Sequence, residues 1–228
     1  MRVRSASIVA TGALLIGAVF MSAPAAGAGR LPRMIHHGMA TPAHVSPAGV
    51  LFNQNDRDDG VSISSQNFGA EFDSYDDQAA DDFKVPAGVT WTVKKVTVTG
   101  VYYSGEGPAD SENVFVYRSE GGLPSTLKSE VDDVVGADSG GSFVIPTGAM
   151  RLTGGTAGKV FWLSVQINME PVNGGQWGWE TRKVKNGNPA AWQNPSGGWG
   201  GMCRTWTVMR DCFDVGPDLM FALSGTAS

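Results

Sequence analysis

The sequence predicts an all-β protein: a single antiparallel β-sandwich, jelly-roll-like, running from about residue 48 to the C-terminus. Three observations carry this expectation. Short runs rich in Val, Thr, Ile and aromatic residues recur along the chain. The 31 glycines and 12 prolines separate them at intervals typical of sandwich turns. No segment sustains the apolar period of a capped helix. The 228 residues suit one such domain, and no internal repeat divides them.

Residues 1–28 read as a signal peptide. Arg2 and Arg4 form a positive start, residues 6–21 an apolar run, and Ala26-Gly27-Ala28 a small-residue cleavage site. The run is shorter than the roughly 20 apolar residues a membrane span needs, and Pro24 follows it. Cleavage after Ala28 and a secreted product without a membrane span are therefore expected. Residues 29–47 lack periodicity and read as a flexible segment. They carry all three histidines, His36, His37 and His44, so the domain at 48–228 holds no imidazole.

Within the domain, residues 50–52 and 61–63 are short strand candidates. Residues 82–85 are a third, stopped by Pro86-Ala87-Gly88. In TWTVKKVTVTGVYY, residues 90–103, Trp91 and Val93 share one parity and Val96 and Val98 the other. A β-bulge at Lys94-Lys95 would produce that change. Strands at 113–118 and 142–147 follow, with weaker signals at 130–135 and 149–152. In residues 159–169, Phe161, Leu163, Val165, Ile167 and Met169 alternate with mostly polar neighbours, which requires one face to be core. Residues 204–209 and 218–224 complete the set. Between 171 and 201 the only Val, Leu or Ile residues are Val172 and Val184, and this stretch reads as long loops carrying large rings.

Charge narrows the function classes. The formal net charge is −5, and losing residues 1–28, with two arginines and no acid, makes it −7. Residues 51–83 hold nine acids and only Arg57, a net of −8, whereas residues 84–228 hold twelve basic and thirteen acidic residues, a net of −1. Such a chain offers no basic face to a phosphate backbone, so nucleic acid is not an expected partner. Cys203 and Cys212, nine positions apart, are expected to form a disulfide in an oxidising compartment. Without histidine in the domain, neither a Ser-His-Asp nor a Cys-His arrangement can be assembled, and the HExxH, GxSxG and phosphate-loop motifs are absent from the sequence.

Two constellations remain. FDSYDDQAADDF, residues 72–83, packs Asp73, Asp76, Asp77, Asp81 and Asp82 into twelve positions. Calcium takes about six to eight oxygens, and a loop entering a strand can supply several; the alternative is a solvated acidic turn. NDRDDG, residues 55–60, misses the EF-hand register, because Gly60 falls one place early and Asn67 stands where a bidentate glutamate is needed. The second constellation is aromatic: five of the seven tryptophans lie between Trp177 and Trp206. Trp177 and Trp179 share a side if extended, and with Glu180, Trp192 and Trp199 they form a candidate face for stacking on sugar rings. The bland alternative is that the rings close an end of the sandwich.

Three functions fit these residues. The leading one is a non-catalytic module that binds a glycan or cell-surface polysaccharide through the Trp-rich loops, with calcium stiffening the acidic stretch. The second is a glycan hydrolase using Glu180 and Asp211 as its carboxyl pair, against which Glu180 reads as a surface residue paired with Arg182 or Lys183. The third is a structural envelope or matrix protein.

YDDQAADDFKVP at 75–86, then Trp91-Thr92-Val93, Gly100-Val101-Tyr102, EGGLP at 120–124, VQINM, GGQWGWE and NPAAWQNP, together resemble a family of secreted bacterial β-sandwich domains with no assigned activity. The resemblance covers most of residues 50–225. It implies an exported sandwich module and brings no substrate or catalytic residue with it.

Overall fold

The computed structural model describes residues 35–36 and 49–228. The expected signal peptide, and the 29–47 segment apart from Ile35 and His36, lie outside the described residues. The fold is all-β. Its strands are β1 (Ile35–His36), β2 (Val50–Asn53), β3 (Asp58–Ser64), β4 (Gln66–Asn67), β5 (Gln78–Val85), β6 (Thr90–Val98), β7 (Gly100–Tyr103), β8 (Ser111–Glu120) and β9 (Leu123–Val134). There follow β10 (Ala137–Ser139), β11 (Ser142–Thr153), β12 (Lys159–Asn168), β13 (Gln176–Arg182), β14 (Ala191–Gln193), β15 (Thr207–Val208), β16 (Asp218–Leu219) and β17 (Phe221–Ala227). Helix is confined to a 3-10 turn at Asp73–Tyr75 and to α1 (Pro171–Gly174) and α2 (Met209–Cys212).

The strands form three sheets. One runs β10-β11-β6-β17-β2; a second runs β15-β14-β5-β12-β8-β9, with β4 beside β12; the third runs β1-β3-β13-β16, with β7 also on β13. The first two face each other across an aromatic seam. Phe83 of β5 lies 6.1 Å from Phe161 of β12 and 6.1, 6.0 and 6.4 Å from Phe52, Trp91 and Phe221 of the opposite sheet. Burying each such ring is worth about 2–3 kcal/mol. The third sheet lays Trp177 and Trp179 against the sheet that carries β6, with Trp177 5.9 Å from Phe143 and Trp179 6.3 Å from Phe221.

The bulge falls where the parity change places it. On β11, Val93 pairs with Met150 and Lys95 with Pro146; on β17, Val93 pairs with Gly225 and Lys95 with Ser224. Lys94 is skipped on both sides, so Trp91 and Val93 before it and Val96 and Val98 after it all face core. Gly225 makes this possible, since a Cβ there would lie 2.0 Å from the carbonyl oxygen of Thr92. Gly225→Ala is expected to cost about 1–3 kcal/mol through forced displacement of β6, read as a lower urea midpoint at unchanged slope.

Three elements depart from the sequence expectations. The second half of the acidic stretch is strand rather than turn: β5 begins at Gln78, so Asp81 and Asp82 sit inside it and are buried, while Asp73 opens a 3-10 turn. The polar-looking face of β12 is also covered, because Trp162 packs with Ala80, Ala191 and, at its edge, Tyr117, Leu123 and Trp206 in a second small core. The segment expected to be loops contains β13, which pairs with β3, β7 and β16. Alternating Trp and Gly lets it do so. A Cβ at Gly178 would meet the Ser62 hydroxyl at 2.3 Å, and one at Gly100 would strike the Trp177 indole at 2.5 Å.

Candidate functional site

The residues following β13 form a surface loop anchored by several buried side chains. Arg182, the last residue of β13, has a side chain only 6% exposed. Its Nη2 lies 2.6 Å from Asp56 Oδ1, its Nη1 3.5 Å from Asp218 Oδ2, and its Nε donates to the Asp56 carbonyl at 3.1 Å. Lys183 N–H then donates to the Arg57 carbonyl at 2.9 Å. Two buried carboxylates hold the rest: Asp218 accepts from Asn186 N–H, and Asp82 accepts from Asn188 N–H at 3.2 Å and from Asn188 Nδ2 at 2.6 Å. Gly187 between them has φ +87°, and a Cβ there would lie 2.2 Å from Asp82 Oδ1. The loop can therefore close on Asp82 only with glycine at its tip.

Clefts open on both flanks of this loop. One, of about 350 Å³, is lined by Phe52, Asp82, Phe83, Lys84, Val160, Asn186, Gly187 and Asn188. It combines one half-buried ring, Phe52, with a carboxylate, the Lys84 ammonium and two amides, and Phe83 forms its buried floor. Asn186 Nδ2 donates to Gln54 Oε1 at 3.3 Å, and the Asn188 amide is held by Asp82, so both amides are fixed before any ligand arrives. On the other flank a cleft of about 670 Å³ is lined by Lys183, Lys185, Pro189, Val208, Arg210, Asp211 and Pro217. Its far wall is α2, tied to residue 203 by the expected Cys203–Cys212 disulfide, which is formed.

The structure disperses the five aspartates proposed for calcium. Asp73 is exposed, and Asp76 Oδ1 accepts from Phe68 N–H at 2.8 Å. Asp77 is buried and Oδ1 accepts from Gln66 N–H at 2.8 Å and Ser64 Oγ at 3.1 Å. Asp81 Oδ2 accepts from Gln54 Nε2 at 2.6 Å and Leu219 N–H at 2.7 Å. Among the described residues no group of three or more His, Cys, Asp or Glu side chains is arranged to hold a metal ion. These carboxylates pin strand ends and loops together rather than forming one cage. Burial pushes the Asp77 and Asp81 carboxyls well up, and the neighbouring Asp218 charge raises Asp81 further.

The proposed sugar-stacking face is likewise corrected. Trp177, Trp179 and Trp192 have no exposed surface and Trp199 is 5% exposed. Each indole N–H is spent on a backbone carbonyl: Trp177 on Gly141 at 2.7 Å, Trp179 on Met220 at 2.8 Å, Trp192 on Ser64 at 3.0 Å and Trp199 on Tyr75 at 2.7 Å. The rings fill the core beneath the third sheet and beside β5, where a ligand cannot stack on them.

Glu180 is buried too, and so is not the surface residue paired with Arg182 or Lys183 that the sequence suggested. It faces Ser62 across β3, and burial, followed by the nearby Asp58 and Asp59 charges, pushes its carboxyl up to about 9. At neutral pH it therefore keeps its proton. That is the proton affinity of a general acid, but a side chain without exposed surface does not reach a glycosidic oxygen. Asp211 stands exposed on α2. The signals that were missed in the sequence are Asn186-Gly187-Asn188, a turn tripeptide that reads as ordinary loop, and Asp218, whose carboxylate reads as one of many.

Fold and site define an all-β sandwich protein with a rigid, polar surface loop between two clefts. No family model matches the chain, and no curated protein matches it.

Proposed function

We propose that the protein is an exported, non-catalytic module that binds a glycan or cell-surface polysaccharide beside the 183–189 loop, rather than on the tryptophans. The observation that carries this reading is the cleft in which the half-buried ring of Phe52 lies beside the fixed amides of Asn186 and Asn188 and the Asp82 carboxylate, with Phe83 buried beneath it. Sugar rings present apolar C–H faces to an aromatic wall and hydroxyls to amides and carboxylates, and the cleft's volume lies in the range of small-ligand sites. Export is supported by the signal-like residues 1–28 and by the Cys203–Cys212 disulfide, and the family resemblance points the same way. The non-catalytic reading is supported by the inaccessibility of Glu180 and the lack of histidine in residues 48–228.

Titration of the purified protein against a panel of soluble polysaccharides tests this. Asn186→Ala and Asn188→Ala are each expected to weaken the binding glycan by about tenfold, the worth of one ligand hydrogen bond. Affinity unchanged in both variants would move the site elsewhere, and no binding across the panel would remove the reading.

A further inference from the structure

We infer that the ligand is an anionic glycan chain, whose carboxylate or phosphodiester groups sit in the larger cleft while its sugar faces continue across the 183–189 loop into the smaller one. This rests on the glycan reading above and names the ligand's charge and extent. The first observation is charge. Lys183, Lys185 and Arg210 line the larger cleft against the single carboxylate of Asp211, which leaves +2 in a chain whose formal net charge is −5. Three cations gathered on one concave surface of an acidic protein offer an anion several charge-assisted contacts at once. All three side chains are exposed. Of the buried acids nearby, Asp218 is held by Arg182 and the Asn186 N–H and Asp82 by Asn188, and both also lie within the field of Lys185.

The second observation is rigidity. Lys183 and Lys185 sit on the loop that Asp82 and Asp218 clamp, and Arg210 lies within α2, closed by the disulfide at Cys212. Their backbones are set before binding, which lowers the ordering cost of recruiting long side chains. An arginine fork also matches carboxylate and phosphate geometry in a bidentate way.

The third is the neighbouring surface. A further cleft of about 430 Å³ shares Lys183 and Arg210 and faces them with Asp59 and Asp214, so those two cations are offset from that side and meet an anion from the larger cleft, where Lys185 joins them. Pro189, Pro217 and Val208 supply apolar walls to the cationic cleft. Pro189 adjoins Asn188 of the smaller cleft, so the two clefts flank one short loop. That layout suits a polymer better than a single sugar.

The test compares polygalacturonate, its methyl ester and a poly(glycerol phosphate), each titrated against the wild-type protein and against the Lys183→Gln/Lys185→Gln/Arg210→Gln variant. The expected result is binding of at least one anionic polymer, roughly tenfold weaker or more in the triple variant and in about 0.5 M salt, with little affinity for the methyl ester. Whether polygalacturonate or poly(glycerol phosphate) binds more tightly assigns the anion as carboxylate or phosphodiester. An unchanged melting temperature of the triple variant shows that the loss is electrostatic rather than structural. Equal binding of the methyl ester and polygalacturonate, unaffected by the triple substitution, would overturn the anionic inference while leaving glycan binding intact. Failure of every polysaccharide, neutral ones included, would overturn both.

Discussion

Trp179→Ala is expected to destabilise the protein severely rather than to blunt ligand binding. The ring is wholly buried, packs 6.2 Å from Trp177 and 6.3 Å from Phe221, and donates to the Met220 carbonyl at 2.8 Å. Truncation leaves a cavity costing about 3–5 kcal/mol, and the Met220 carbonyl keeps only its longer hydrogen bond, 3.3 Å from the Thr99 N–H. Against a total stability of roughly 5–15 kcal/mol, that loss takes a third to a half of the stability of an average domain and all of that of a marginal one. Trp179→Phe keeps the ring volume but loses the N–H, and is expected to fall between the two. Chemical denaturation checks the series. A folded Trp179→Ala protein with a wild-type midpoint and no glycan affinity would return this ring to the binding surface.

Stability is expected to fall as pH rises, the reverse of what a paired, ionised carboxylate produces. The Glu180 carboxyl is raised from 4.5 to about 9 by burial and by Asp58 and Asp59. Below its unfolded value both states hold the proton, and the site carries no penalty. Between about 4.5 and 9 the unfolded chain has released the proton while the folded chain keeps it, so the folded state binds more protons and loses stability with every step in pH. At about 1.4 kcal/mol per pKa unit, the ceiling is on the order of 6 kcal/mol. Asp218, raised by burial from 3.8 to about 6 despite Arg182, adds to the lower part of that window, as does Asp81 with its carboxyl pushed well up. Glu180→Gln removes the titration while keeping a side chain that can donate to Asp58. Its melting temperature should decline less between pH 5 and 9 than that of the wild type, and the gap should be widest at pH 9. Parallel profiles, or a wild-type melting temperature that climbs over this range, would contradict the buried neutral carboxyl.

These two expectations show where the sequence was informative and where it was not. Strand positions with β-branched alternation were legible because the period of two survives burial of one face; Val93 and Val96 even located the bulge at Lys94. β13 was not legible, because a strand of Gln-Trp-Gly-Trp-Glu-Thr-Arg fills its core with two indoles and makes room with glycines instead of using aliphatic residues. The buried state of Asp77, Asp81 and Glu180 was hidden for a related reason. Their hydrogen-bond donors, Gln66 and Ser64 for Asp77 and Gln54 and Leu219 for Asp81, come from distant parts of the chain. A run of aspartates looks solvated until those donors are placed beside it. The 183–189 loop lay inside the 171–201 stretch read as long loops, but its clamps from Asp82 and Asp218, roughly a hundred and thirty residues apart on the chain, could not be read from that stretch. The disulfide was the one site element legible in full, since the two cysteines of the sequence, nine positions apart, have no other thiol to pair with.

The most direct test is amide hydrogen exchange of the purified protein with and without saturating polygalacturonate or, if that binds more tightly, poly(glycerol phosphate). The expected result is new protection confined to residues 183–189, the 208–212 segment and the neighbouring part of β2, with the amides of β13 already protected and unchanged. Protection that instead concentrates on the segments around Trp192 and Trp199, leaving 183–189 untouched, would contradict the placement of the ligand beside the clamped loop.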